Sequence, residues 1–475
     1  MGSKLSALPL SMFVIPSALT ILYVRVLKTR GYFSCCSFRA ALRSILFLPL
    51  PVRVGGGLTA HALLSEEEKP FVQTYQTVVD LFKRNVLFGD ELGAQITIYH
   101  NSKKVVDVWG SMDAHHSTAG LYDANTVQTV FSSTKNLTAL CVCMLADRGL
   151  LDLDDKVSKF WPEFGQNGKE DIRISDVLRH EAGLGQLVSN EDPDDPKRDY
   201  KLTFEDIEDL DQLSEIFAKA KPYWEEGKKR SYHAILRGFI LGEIIRRVDE
   251  KKRSLQQFFA EEVALPLQID AWIGTPSVIE QERHIPNMTQ IDTPRQLFEF
   301  AVNPPKPELM EAFKNPKSML NRMNAAVFVD GTPRLCNTKR YRSLQVGSAS
   351  GTANSAALAK VGAAIANGGI IDGVRIMSEA GVKNMLSEPL VEYDAALLFE
   401  TSFTKGGVCK IDECKEFDKW RNGKWFGWGG WGGSIFFFSP EKNLSFAYTM
   451  NGMHNDIIGG RRVEKLLALL SNEVI

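Results

Sequence analysis

The 475-residue chain lacks most of the patterns that announce a metal or nucleotide enzyme. Its seven cysteines (35, 36, 141, 143, 336, 409 and 414) form no pair of CxxC knuckles, and its eight histidines fall in neither HExxH nor HxHxDH spacing. Neither a zinc site nor a metallo-hydrolase site is therefore written into it, and no metal or cofactor is expected. There is no GxSxG, which excludes the nucleophile elbow of the α/β-hydrolases. Gly427, Gly429 and Gly432 do match GxGxxG, but the β-forming run SIFFFSP follows where a dinucleotide fold needs a helix. Acidic residues are missing altogether before Glu66, whereas Lys4, Arg25, Lys28, Arg30, Arg39, Arg43 and Arg53 precede it. A formal net charge of -2 less these seven cations leaves -9 on the rest of the chain. An acidic body argues against a nucleic-acid-binding surface, which needs clustered cations to displace counterions from phosphates, so nucleic acid is not an expected partner.

Residues 1–65 read as a membrane anchor or targeting segment. The stretch LSALPLSMFVIPSALTILYV between Lys4 and Arg25 is uncharged, and about 20 such residues cross a bilayer's hydrocarbon core. A single-pass membrane localisation, with the membrane as a partner through this segment, is the expectation. Mitochondrial import is the alternative for a basic, acid-free leader. MGSKLS also fits a myristoylation pattern at Gly2. Cys409 and Cys414 are near enough in sequence to bridge in an oxidising compartment.

The remainder, 66–475, reads as one enzyme-sized domain. Phe71, Tyr75, Val78, Val79 and Phe82 recur at helical spacing, and GAQITIYH and KKVVDVWG then alternate as a hairpin would. At the other end SIFFFSP and LSFAYTMN form a second hairpin, and Val463, Leu466, Leu467 and Leu470 mark a closing helix. Between them, from about 132 to 380, helical patterns dominate. The predicted fold is α+β: an antiparallel sheet built from both chain ends, flanked by terminal helices, with a mainly helical region inserted.

Three local patterns carry chemistry. In FSSTKNLTALCVCMLADRGL, Ser132 sits at a helix start and Lys135, three residues on, projects from the same face. A desolvated amine there can take the proton of the hydroxyl. Tyr232 precedes the helix of AILRGFILGEIIRRV, and a phenol near cations can become a phenolate that shuttles protons. FGWGGWGG lets backbone approach a ligand and leaves amides free to donate. Each pattern alone also has a plain structural reading, as a helix cap, a packed tyrosine or an aromatic turn. His180 and His233 are further candidates for the cleft, with a structural role the commoner alternative.

Taken in order, VFSSTKNLTAL, LADRGLLDLDDKVSKFWPEFGQNGKEDI, LRHEAGL, YHAILRGFILGEIIRRV, SASGTANSAALAKVGAAIANGG and the glycine turn before SIFFFSPEKNLSFAYTMN resemble the serine β-lactamase and penicillin-binding-protein superfamily. Class C β-lactamases and family VIII carboxylesterases are the nearest likeness. The resemblance implies an acyl-enzyme hydrolase with Ser132 as nucleophile, Lys135 as its proton acceptor and Tyr232 as acid and base for the leaving group. It implies an oxyanion hole from the amides of Ser132 and Trp431, with Trp428, Gly429, Gly430 and Trp431 as the substrate-binding run. Two departures matter. Ala234 stands where β-lactamases of this type carry the asparagine of Tyr-x-Asn, and Trp428 where they carry the lysine of Lys-Thr-Gly. Without that cation a carboxylate substrate loses its partner, and neutral acyl esters become the expected small-molecule substrate. A peptidase of the same superfamily, or a non-catalytic binding or scaffold module, are the alternatives, and oligomeric state is left open.

Overall fold

The computed structural model describes residues 52–59, 69–88, 90–112, 122–188, 199–224, 229–290, 307–315, 317–325, 335–454, 458 and 460–474. Nine strands form one antiparallel sheet. They are β1 Val52–Leu58, β2 Gly93–His100, β3 Lys103–Met112, β4 Leu390–Asp394, β5 Phe399–Phe403, β6 Cys409–Lys410, β7 Phe426–Gly429, β8 Ile435–Ser439 and β9 Leu444–Met450. Their order is β1-β3-β2-β9-β8-β7-β6-β5-β4. The two chain ends meet at the β2–β9 ladder, where Ala94 faces Met450 and His100 faces Leu444.

The period-2 pattern of β8 explains the layers. Phe436 and Phe438 join the core that holds Leu358 and Val361 of helix α4 (Ser355–Ala366), while Ile435 and Phe437 point the other way. On that second face lie Tyr75, Val78 and Phe82 of helix α1 (Val72–Leu87) and Val463, Leu466 and Leu470 of helix α5 (Gly460–Glu473). The α+β architecture, with terminal helices and an inserted helical region, is as the sequence predicts. Within the insert, helix α2 (Thr134–Asp147) is buried on every side from Thr134 to Leu145 and packs against α3 (Arg237–Val248). Strand β1 pairs with β3 ahead of residue 66, so the sheet takes in part of the N-terminal segment.

The expectation of a membrane anchor is corrected. Among the described residues no helix is long and apolar enough to cross a membrane. The 16 residues of α1 rise about 24 Å, short of a hydrocarbon core of about 30 Å, and its apolar residues lie on the face that packs on the sheet. The membrane partner and the single-pass localisation fall with it. The stretch between Lys4 and Arg25 that suggested them, the mitochondrial alternative and Gly2 all lie outside the described residues. Cys409 and Cys414 are buried free thiols with their Sγ atoms 3.6 Å apart.

Candidate active site

Ser132 lies in the single 3-10 turn Phe131–Ser133 that runs into α2. Phe131 takes a left-handed φ of 45°, a conformation that costs a non-glycine residue about 1–2 kcal/mol. Neighbouring contacts hold it there. Thr134 Oγ1 donates to the Phe131 carbonyl (2.5 Å), the Ser434 hydroxyl to the Val130 carbonyl (2.8 Å), and the Val130 amide to the Gly351 carbonyl (2.8 Å). The turn lifts Ser132 to a half-buried position while both its neighbours stay buried.

Lys135 is only 2% exposed. Its Nζ lies 3.0 Å from Ser132 Oγ, 2.6 Å from the Ala234 carbonyl and 3.1 Å from the Ser348 carbonyl. The two carbonyls account for two N–H donors and leave the third position facing the hydroxyl. A neutral amine fits this arrangement, with its lone pair on Ser132. Burial, helped by the charge of Arg237, pushes the Lys135 ammonium well below its ordinary 10.5. Ser348 is brought in by α3, whose Gly238 amide donates to the Ser348 hydroxyl at 2.8 Å.

Tyr232 is buried beside this pair, with Lys135 Nζ 4.7 Å from its ring centroid. Its hydroxyl accepts from Trp428 Nε1 at 2.9 Å, and its backbone amide donates to Asp394 Oδ1 at 3.0 Å. Burial works against the phenolate in the resting site. It raises the phenol well above its ordinary 10, outweighing its side-chain contacts with Ser132 and Trp428. Burial thus favours the neutral form of both groups, an amine able to accept a proton beside a phenol able to pass one on.

Trp428, read from the sequence as part of the substrate-binding run, is 1% exposed and packs behind Tyr232 against Phe403. It holds the phenol in place. Replacing Trp428 with phenylalanine keeps the ring contacts and deletes one donor, so kcat is expected to fall about tenfold while thermal stability drops by about 1 kcal/mol. Steady-state kinetics beside a thermal melt check both numbers.

Trp431, by contrast, is 38% exposed and sets its ring 5.6 Å from that of Phe131. Between β7 and β8 the chain turns through Gly430, whose amide donates to the Ser434 carbonyl (2.8 Å). A Cβ at Gly430 would sit 2.3 Å from the Val130 carbonyl, so only glycine lets this turn press against the residues before Ser132. Ser133 and Ser434 hydroxyls, 3.0 Å apart, tie the same two segments. Among the described residues neither the Ser132 nor the Trp431 amide donates to another backbone group.

The two histidines are structural. His233 has both ring nitrogens taken by backbone: Nε2 accepts from the Leu184 amide (2.9 Å) and Nδ1 meets the Ser231 carbonyl (2.5 Å). His180 Nδ1 accepts from the His233 amide (2.9 Å). Burial lowers His233 to about 4 and His180 well below 6.5. The unfolded chain protonates both near 6.5 while the native state refuses the proton. Stability is therefore full above pH 6.5 and is lost as pH falls toward the native values. Each histidine contributes a slope of about 1.4 kcal/mol per pH unit in that window. Denaturant titrations at pH 7, 6 and 5 should show the decline, and His233→Gln should remove roughly half of it.

The sequence reading missed Arg237, Asp394 and Ser348. Arg237 is 1% exposed and bonds to the Gly407 carbonyl (3.1 Å) and toward His180 Nε2 (3.3 Å) rather than to a carboxylate. A cation inside the apolar stripe of α3 was its one visible signal. Asp394 is fully buried and also accepts from the Ala396 and Leu397 amides.

Residues 80–469 match the β-lactamase family model, which is most of the chain. The chain belongs to the β-lactamase family. It is 30% identical over 371 residues to the esterase/beta-lactamase LipL of Mycobacterium tuberculosis, covering 77% of this chain and 78% of LipL. Among solved structures it is similar to a family VIII carboxylesterase (TM-score 0.70, 27% identity, 88% of this chain and 98% of that one). A penicillin-binding-protein homologue from Caulobacter crescentus is as near (TM-score 0.68, 27% identity, 89% and 100%). This β-lactamase-family chain is thus a hydrolase of the β-lactamase and esterase superfamily.

Proposed function

We propose that this β-lactamase-family protein is a serine hydrolase that forms an acyl-enzyme on Ser132 and acts on neutral carboxylic esters. The observation that carries the reading is the Lys135 amine, held by two carbonyls with its remaining position 3.0 Å from Ser132 Oγ. Lys135 takes the hydroxyl proton as Oγ attacks the ester carbonyl. The developing oxyanion sits between the Ser132 and Trp431 amides. As the ester C–O bond breaks, Tyr232 gives its proton to the leaving alkoxide and regains one from Lys135. Water then enters by the reverse route and releases the acid.

Preference for neutral esters is supported by the two departures. Trp428 puts a buried indole, bonded to Tyr232, in place of a cation. Ala234 contributes its carbonyl to Lys135 and has no side-chain amide to offer an acylamino group. The carboxylesterase among the structural relatives points the same way.

The test is incubation with a fluorophosphonate followed by intact-mass and peptide analysis, beside turnover of p-nitrophenyl esters and short peptide amides. A single adduct on Ser132 and ester turnover well above amide turnover are expected. Folded protein with Ser132 unlabelled would sink the proposal, and faster amide turnover would transfer it to a peptidase.

A further inference from the structure

The turn that carries Trp431 is built from the least constrained residues available. Gly429, Gly430, Gly432 and Gly433 surround it, and Gly432 and Gly433 have φ of 83° and 119°. An oxyanion site needs its donors fixed to within about 0.5 Å. On the Ser132 side the turn is tied through Ser434 and Gly430. Its other side must be held by something else.

That side rests on a buried ionic cluster. Arg462, on α5, donates from Nη2 to the Gly432 carbonyl at 2.6 Å. Its Nη1 donates to Glu91 Oε2 (2.7 Å) and to the Gly452 carbonyl (2.9 Å). The Tyr448 hydroxyl on β9 donates to Glu91 Oε1, and the Arg462 guanidinium lies 5.6 Å from the Tyr448 ring centroid. The His454 amide makes the second bond to the Gly432 carbonyl, at 3.2 Å. Glu91 is fully buried and Arg462 is 5% exposed. Burying such a pair gains little stability over apolar residues of the same size, because desolvation cancels most of the attraction. A planar guanidinium does supply direction: one edge is fixed by Glu91 and the other fixes the Gly432 carbonyl.

We infer that Glu91, Tyr448 and Arg462 are positioning residues that hold the Gly432 peptide, and through it the Trp431 amide, at the distance an ester oxyanion requires. The inference rests on Ser132 being the nucleophile and Trp431 an oxyanion donor. None of the three touches substrate. Their effect falls on the transition state, where charge reaches the carbonyl oxygen, and leaves ester binding alone.

Arg462→Lys tests it in the full chain, since an ammonium cannot serve Glu91 and Gly432 in the same plane. Wild type and variant are assayed on an ester and on its thionoester, whose longer C=S bond and poorer acceptor make it a probe of donor placement. Arg462→Lys is expected to lower kcat for the ester about 10–100-fold with KM within about threefold. The ester-to-thionoester ratio should shrink about tenfold, a change that general loosening would not produce. If Arg462→Lys lacks a cooperative thermal transition, Tyr448→Phe replaces it. That variant keeps the ring over the guanidinium, loses one bond to Glu91, and should move kcat and the ratio in the same direction by less. A folded variant with both quantities unchanged overturns this inference alone. Wild type inert toward ester and fluorophosphonate alike overturns it together with the proposed function.

Discussion

Ser132→Ala is expected to lower kcat/KM for p-nitrophenyl esters by about 10⁴-fold and to abolish fluorophosphonate labelling. The side chain lost is small and half-exposed, and its hydroxyl is not among the contacts that hold the Phe131 turn. Those run through Val130, Thr134 and Ser434. Thermal stability should therefore stay within about 1 kcal/mol of wild type. The separation of the two readouts is the point of the measurement. Loss of activity with the melt intact identifies a nucleophile, whereas parallel losses would identify a structural serine. Residual turnover of roughly 10³-fold over water is expected from the intact amides and Tyr232.

Lys135→Ala should cost about 10²–10⁴-fold in kcat/KM, with a distinct dependence on pH. In wild type the amine must be neutral to accept the serine proton, so activity rises with pH through the Lys135 value and is flat above it. Burial and Arg237 depress that value well below 10.5, which puts the plateau within reach of ordinary assay conditions. The groups facing Lys135 are Ser132, Tyr232 and the carbonyls of Ala234 and Ser348, with the Arg237 cation behind. Removing the lysine should erase the acid limb. Arg237→Gln should keep the limb and move it to higher pH, because one opposing charge is gone. A limb that stays put in Lys135→Ala assigns the titration to another group and removes Lys135 as the base.

Ser132 and Lys135 are legible in the sequence because the whole relation sits in four consecutive residues whose geometry a helix start fixes. Gly430 and Trp431 are legible for a similar reason, since a run of glycines between two strands has few purposes. What surrounds them is not. Ser348, Asp394 and Arg237 reach the site from three separate stretches, and their contacts depend on how α2, α3 and the sheet cross. Trp428 illustrates the same limit within a single motif. Its membership of the site could be read, but its near-complete burial behind Tyr232 depends on Phe403 from another strand. Strand β1 escaped notice because VRVGGGL alternates for only three residues before a run of glycines, and it is recruited by the free edge of β3.

Because β2 pairs with β9 while Ser132 lies between them in sequence, synthesis delivers Ser132 and Lys135 long before the β7–β8 turn that supplies Trp431. Such long-range pairing is slow to form, and nothing local can stand in for it. On the proposed function, a nascent chain thus carries Ser132 and its own amide but lacks the Trp431 amide that completes the oxyanion site. The proposed hydrolysis therefore waits for the C-terminal strands to join β2 and seat the β7–β8 turn against the residues before Ser132.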